Sequence, residues 1–106
     1  MTEKELKDGL VAMGFTDTIL FANPGYEDAF IGVTPEGVAL YDYNLMVQFL
    51  IEKEGWDEME AVEWIDYNCS YGGGGYPIVV YRDDEEDELS EYEYLQVTPA
   101  AEPKIA

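Results

Sequence analysis

The segment DAFIGVTPEGVALY, residues 28–41, decides the fold that the sequence predicts. Its two apolar runs flank Pro35-Glu36-Gly37, where proline presets φ for a turn and glycine tolerates a positive φ. Residues 28–34 therefore predict one strand, and residues 38–41 predict the strand that returns beside it. We expect an antiparallel hairpin here, and the other elements are assigned outward from it.

Two helices are predicted on either side of this hairpin. Residues 2–13 begin with Thr2 in a capping box and carry apolar side chains at helical spacing. Residues 43–54 follow Asp42, which can cap the helix, and end at Gly55. Most of the circumference of this second helix is apolar, so we expect it to be largely buried; its apolar residues are Leu45, Met46, Val47, Phe49, Leu50 and Ile51.

A third helix is predicted over residues 57–68, where Asp57 and Glu60 form a variant of the capping box. One face is expected to be buried and holds Trp56, Met59, Val62 and Ile65. The other face is expected to be acidic and holds Glu58, Glu60, Glu63 and Asp66.

Shorter elements complete the prediction. Residues 18–21 are apolar enough for a strand or an extended segment, and residues 77–81 predict a strand that begins with a proline. Between the third helix and that strand, residues 70–76 predict a flexible glycine-rich loop. Residues 92–96 alternate in polarity, which is typical of a short edge strand.

These elements together predict one α+β domain over residues 1–97, followed by a disordered tail at 98–106. The domain is expected to hold a short, mostly antiparallel sheet packed with two to three helices. An acidic C-terminal segment follows the strand predicted at residues 77–81.

Charge restricts the classes of partner. The chain has 106 residues, of which 24 are acidic and 5 basic, and its formal net charge is −19. Direct binding to DNA or RNA is excluded on this ground, because binding to phosphates needs lysine and arginine to displace counterions. An anionic membrane surface is disfavoured by the same repulsion. A basic protein surface or a cation remains.

The sequence also indicates the compartment. Cys69 is the single cysteine, so no disulfide can form within the chain, and a reducing cytoplasm is expected. The first residues are polar and lack the apolar stretch of a secretion signal. No run of eighteen apolar residues predicts a membrane span.

Catalytic chemistry is not indicated. Without histidine, neither Cys69 nor Ser70 can join a nucleophile–histidine pair, and no zinc site can be built. The glycines at 72–75 lack the lysine of a phosphate-binding loop. A calcium loop starting at Asp83 fails because Glu88 replaces the required glycine and Tyr94 replaces the required glutamate. We therefore predict no catalytic residues, no metal site, no cofactor and no enzymatic activity.

The acidic segment is the feature most indicative of function. Eight of the eleven residues from 83 to 93 are acidic, namely Asp83, Asp84, Glu85, Glu86, Asp87, Glu88, Glu91 and Glu93. Together with the acidic helix face, they can imitate the phosphates of a nucleic acid for arginine and lysine side chains. Tyr92 and Tyr94 are interleaved and can stack on guanidinium groups. The simpler interpretation, a solvated acidic surface without a partner, stays open.

Residues 27–68 contain the stretches EDAFIGVTPEG at 27–37 and IDYN at 65–68. In these stretches the chain resembles a family of small acidic proteins, of uncharacterised function, from phages and prophages of Gram-positive bacteria. The segment 69–76 departs from the family pattern, and the acidic segment lies outside it. The resemblance implies a phage accessory protein in the cytoplasm of a bacterial host. By analogy, such proteins inhibit host enzymes, and an anti-CRISPR protein that blocks an RNA-guided nuclease such as Cas9 is the concrete case.

Three alternatives stay open. The chain can be an adaptor or regulatory module that binds through apolar and aromatic side chains, with Tyr71, Tyr76 or Trp56 as the contacts. It can instead bind a cation such as calcium. A homodimer is also compatible with the exposed edges of a short sheet.

Overall fold

The computed structural model describes residues 2–22, 25–69, 74–82 and 88–97. Within them the helices are α1 (Glu3–Ala12), α2 (Tyr43–Glu54) and α3 (Glu58–Asn68). The strands are β1 (Phe30–Val33), β2 (Ala39–Asp42) and β3 (Ile78–Val80), with single turns of 3-10 helix at Glu27–Ala29 and Glu88–Glu91. The predicted α+β class is confirmed.

The predicted hairpin is present as β1 and β2. The strands are antiparallel, and Val33 pairs with Ala39 across the turn. The amide of Thr34 donates to the carbonyl of Val38 at 2.9 Å, which closes the turn. The first strand begins at Phe30 rather than at residue 28, because the chain before it forms the 3-10 turn Glu27–Ala29.

The sheet is mixed, with the order β1-β2-β3. Strand β3 lies parallel to β2, with Leu40 opposite Ile78 and Asp42 opposite Val80. Parallel neighbours need a long crossover connection, and here the chain from β2 to β3 contains both α2 and α3. The predicted edge strand at 92–96 is reduced to one antiparallel bridge, between Leu95 and Val33.

The helix-side core lies between the sheet, α2 and α3. Strand β2 contributes Ala39 and Tyr41, and both are fully buried. Helix α2 contributes Met46, Val47 and Leu50 from its inner face. The predicted burial of Leu45 is wrong, since this residue lies on the outer side of α2 and is 46% exposed.

The opposite face of the sheet is covered by the chain that follows the acidic run. Leu40 and Val80 on this face are buried together with Leu89, and the partly buried residues around them are Ile31, Ile78, Tyr92 and Tyr94. Residue 32 must be glycine for this layer to fit, because a Cβ there would lie 2.6 Å from the carbonyl oxygen of Leu95. The segment 88–97 is therefore a structural layer of the domain.

A separate α1 cluster joins the first helix to this layer. Leu6 and Leu10 are buried against Val33 of β1 and Val97. The predicted capping box of α1 is present, since the Thr2 hydroxyl accepts from the Glu5 amide at 3.1 Å and the Glu5 carboxylate accepts from the Thr2 amide at 3.2 Å.

The remaining predicted elements differ in detail or lie outside the described residues. Residues 18–21 form no strand; instead the amide of Phe21 donates to the hydroxyl of Tyr41 at 3.3 Å. The predicted tail at 98–106 and the first part of the glycine-rich loop, 70–73, fall outside the described part of the chain.

Candidate interaction surface on helix α3

Helix α3 is held to the domain by a narrow stripe. It begins where the carboxylate of Asp57 accepts from the amide of Glu60 at 2.8 Å, as the capping pattern predicts. Ala61 and Ile65, four residues apart, are buried on one side, and Cys69 continues that side beyond the helix. Val62 is half-buried against the helix-side core, and the other side chains of the helix are exposed in the described part of the chain.

The outward face of α3 mixes apolar and acidic side chains. Met59 is 72% exposed, Tyr67 is 89% exposed and Trp64 is 38% exposed. The prediction that Met59 lies on the buried face is wrong. At 3.6 residues per turn it lies about 160° around the helix from Ala61, which faces the core. Exposed apolar side chains beside acids on one helix make this face a candidate interaction site.

An open groove of about 860 Å³ runs along this face. Its aromatic wall is formed by the rings of Trp56 and Trp64, which meet edge to face with centroids 5.3 Å apart. Trp56 itself is half-buried against the helix-side core. The groove is lined by Trp56, Glu60, Glu63, Trp64, Asp66, Tyr67 and Asn68.

The carboxylates beside the groove crowd one another. The pKa of Glu60, an exposed side chain, is raised first by a side-chain hydrogen bond with Asp57, then by the Asp57 charge, by desolvation and by the charge of Glu63. Among the described residues, no ion pair involves Glu58, Glu60 or Glu63; the pairs found are Lys4–Asp8, Lys7–Glu3 and Arg82–Asp42. A positively charged partner would relieve this repulsion.

The acidic face of α3 lies close to the strand that leads into the acidic run. Tyr43 of α2 contacts Tyr81 with ring centroids 4.6 Å apart. Burial raises the pKa of Tyr43, and the nearby Asp66, Tyr81 and Glu58 raise it further. Since Tyr81 directly follows β3, two acidic residues of α3 lie near the point where the chain enters residues 83–88.

The acidic run itself falls largely outside the described residues. Residues 83–87 are among those not described, and Glu88 begins the 3-10 turn Glu88–Glu91. The flanking residues Val80 and Leu89 are both buried on the same face of the sheet. The run therefore connects two anchored points of the fold. Beyond it, Glu91 and Glu93 are exposed.

Tyr92 and Tyr94, which are predicted to contact a partner, pack against the domain's own core. Both are half-buried against Leu40, Val80 and Leu89. Only part of each ring is therefore available for stacking on a partner.

Of the aromatic side chains named for the adaptor alternative, Trp56 and Tyr76 are less accessible than Tyr67. Tyr71 lies outside the described residues, and Tyr76 is half-buried with its ring 5.6 Å from that of Phe21. Sequence reasoning missed Trp64 and Tyr67 as surface residues. The available signal was their spacing, because Glu60, Trp64 and Tyr67 recur at i, i+4 and i+7 on one helix face.

The described residues show no assembled metal cluster and no membrane helix. No group of three or more potential metal-ligating side chains occurs in the described ranges. None of the described helices is long and apolar enough to cross a bilayer. Cys69 is buried, and that burial raises the pKa of its thiol, although a hydrogen bond to the Tyr26 hydroxyl at 3.9 Å opposes the shift. A buried thiol of this kind is a poor nucleophile.

Comparison with known proteins finds no match to a protein-family model, to a curated protein or to a solved structure. The resemblance to small acidic phage proteins therefore stays a prediction.

Proposed function

We propose that this protein is a non-enzymatic inhibitor that binds a basic, nucleic-acid-binding surface of a host defence or DNA-processing protein. An anti-CRISPR role against an RNA-guided nuclease such as Cas9 is its concrete form, in the cytoplasm of a bacterial host. The observation that carries the proposal is the outward face of α3. There Glu60 and Glu63 are exposed and have no ion pair with any described residue, and Glu58, in the first turn of the helix, is likewise exposed and without such a pair.

The spacing of these carboxylates suits a basic partner. Side chains three and four residues apart on a helix lie about 5–6 Å from one another at Cβ, so Glu60, Glu63 and Asp66 form a row. Arginine binds carboxylates and phosphates with the same planar pair of donors. A groove that receives nucleic acid can therefore receive such a row in its place.

The acidic run can extend this row. Asp66 and Glu58 lie close to the Tyr43–Tyr81 contact, and residue 83 follows Tyr81 after one position. In the proposal, residues 83–88 together with Glu91 and Glu93 engage the same partner. A formal net charge of −19 also speeds association with a basic target.

The test is capture of partners from bacterial lysate on the immobilised protein, in low and in high salt, supplemented with purified Cas9 bound to guide RNA. We expect nucleic-acid-binding proteins to be captured at low salt and released at high salt or by competing DNA. Functional inhibition is checked by DNA cleavage in the presence of the protein.

Two variants with the same change in net charge sharpen this test. The variant Glu58→Gln/Glu60→Gln/Glu63→Gln should lose most of the capture. The matched control Asp17→Asn/Asp28→Asn/Glu36→Gln changes exposed acids away from α3 and should retain it. If both variants capture and inhibit as the wild type does, the proposed mode of binding is wrong.

A second candidate function is an adaptor that binds through apolar contacts. The observation that favours it is the exposure of Met59 and Tyr67 on the same helix. It predicts binding that resists high salt and is lost on Met59→Ala/Tyr67→Ala. The salt dependence of the captured proteins separates the two candidates.

A further inference from the structure

We propose that the groove formed by Trp56, Trp64 and Tyr67 binds arginine side chains, so that the partner presents an arginine-rich rather than a lysine-rich segment. This inference rests on the proposed function and makes it more specific. The proposed function requires only a basic partner surface and does not say whether arginine or lysine supplies its charge.

The aromatic side of the argument is the accessibility of the rings. Tyr67 is 89% exposed, and Trp64 retains 38% of its surface while its ring contacts that of Trp56. A cation placed over the face of a tryptophan or tyrosine is attracted by the electrons of the ring. Three such rings around one groove offer several positions for a planar cation.

The acidic side of the argument is the position of the carboxylates. Glu60, Glu63 and Asp66 line the same groove as the rings. A guanidinium stacked on a ring directs its N–H donors outward in the plane, where carboxylates at the rim can accept them. Stacking and charged hydrogen bonds can therefore form at the same time.

Arginine fits this combination better than lysine. The guanidinium is planar and weakly hydrated, whereas the ammonium is compact and strongly hydrated and binds as a point charge. The groove is open and has a volume of about 860 Å³, so it has room for more than one side chain of a partner.

The structure describes four cations of the protein, of which Lys53 of α2 has no ion pair with a described residue. Lys4 and Lys7 pair with acids within α1, and Arg82 lies 3.9 Å from Asp42. None of these is among the residues that line the groove. The positive charge that complements the groove is therefore expected from a partner.

Tryptophan fluorescence provides a direct test, because both tryptophans of the chain line the groove. The probes are two synthetic peptides of equal length and charge, one of arginine and one of lysine, titrated at low salt. We expect the arginine peptide to change the emission and to bind about tenfold more tightly, in line with a stacked cation. Tyr67→Ala should remove most of this preference, and Tyr67→Phe should retain it. The control Asp17→Asn/Glu36→Gln should also retain it.

Each other outcome has a defined meaning. If both peptides bind equally and the emission does not change, the groove is not an arginine site, while the proposed basic partner stands. If the arginine preference persists in Tyr67→Ala and in Trp64→Leu, this groove is not its source and the assignment is wrong. If neither peptide binds at low salt, both this inference and the proposed function are overturned. Circular dichroism of each variant separates loss of binding from loss of folding.

Discussion

Tyr26 combines an unusual backbone conformation with nearly complete burial. Its φ is 51°, in the left-handed region that bulky residues rarely adopt, and its side chain is 1% exposed. The ring packs between those of Phe21 and Phe49, with centroids 5.7 and 5.5 Å away. Its hydroxyl accepts a hydrogen bond from the Cys69 thiol. Packing on several sides therefore holds a conformation that the residue type does not favour.

This burial predicts loss of stability in alkali. Desolvation raises the folded-state pKa of Tyr26 above its ordinary value, and Tyr41 behaves in the same way. Since the folded pKa lies above the unfolded one, the stabilisation is complete below about pH 10 and is lost as the pH rises further. The variant Tyr26→Phe lacks one of these two hydroxyls. Above pH 10 its free energy of unfolding should therefore fall less steeply than that of the wild type, with a difference of about 1.4 kcal/mol per pH unit.

Urea unfolding at several pH values between neutral and alkaline checks this expectation. Tyr67→Phe is the matched control, because it removes a hydroxyl from a residue that is 89% exposed, and it should follow the wild type. If the free energy of unfolding falls with pH equally steeply in Tyr26→Phe and in the wild type, the Tyr26 hydroxyl does not resist ionisation in the folded protein.

Residue-level features divide into predictable and unpredictable ones for physical reasons. The capping roles of Thr2, Asp42 and Asp57 follow from short side chains beside a free helix amide, and all three are present. The left-handed Tyr26 depends on Phe49, which is distant in sequence. No local pattern carries that information.

At the scale of elements, α3 shows that one narrow stripe can hold a helix in place. Ile65 is 2% exposed and Ala61 is fully buried, whereas Met59 faces outward. Ile65→Ala should lower the free energy of unfolding by about 2–4 kcal/mol, because it leaves a cavity beneath the helix. Met59→Ala should change it by less than about 0.5 kcal/mol.

Denaturant unfolding of both variants measures the contrast. If Ile65→Ala and Met59→Ala lower the free energy of unfolding by comparable amounts, α3 is rotated relative to the described arrangement. The candidate groove would then be misplaced. Because the groove depends on this rotation, the stability experiment also tests the site.

The pairing of elements was harder to predict than their existence. The hairpin follows from the turn at 35–37, because the turn fixes which strands meet. The parallel pairing of β2 with β3 follows from packing of α2 and α3 on one side of the sheet. A periodic pattern within one element does not specify that arrangement. The spacing of Trp64 and Tyr67 indicates that they share one face of α3, but the direction in which that face points depends on this packing.

For the whole molecule, a formal net charge of −19 on 106 residues opposes folding. Added salt screens charges that are more than about 10 Å apart at 0.1 M. The urea concentration at the midpoint of unfolding should therefore rise as sodium chloride is added. The slope of the free energy of unfolding against urea concentration should change little. A midpoint that does not move would show that self-repulsion has little effect on stability.

Calcium chloride at the same ionic strength is the appropriate comparison for that experiment. A larger rise with calcium than with sodium would favour the cation-binding alternative over simple screening. Equal effects would leave the acidic surface available for a protein partner.

The α1 cluster joins parts of the chain that are made at very different times. Leu6 and Leu10 are buried against Val97, which is translated 87 residues after Leu10. At about 5–20 residues per second, several seconds separate the synthesis of the two. During that interval the apolar face of α1 lacks its last partner, and the sheet lacks the layer supplied by Leu89. The nascent chain can thus complete its fold only after residue 97 has left the ribosome, and until then a chaperone has an exposed apolar surface to bind.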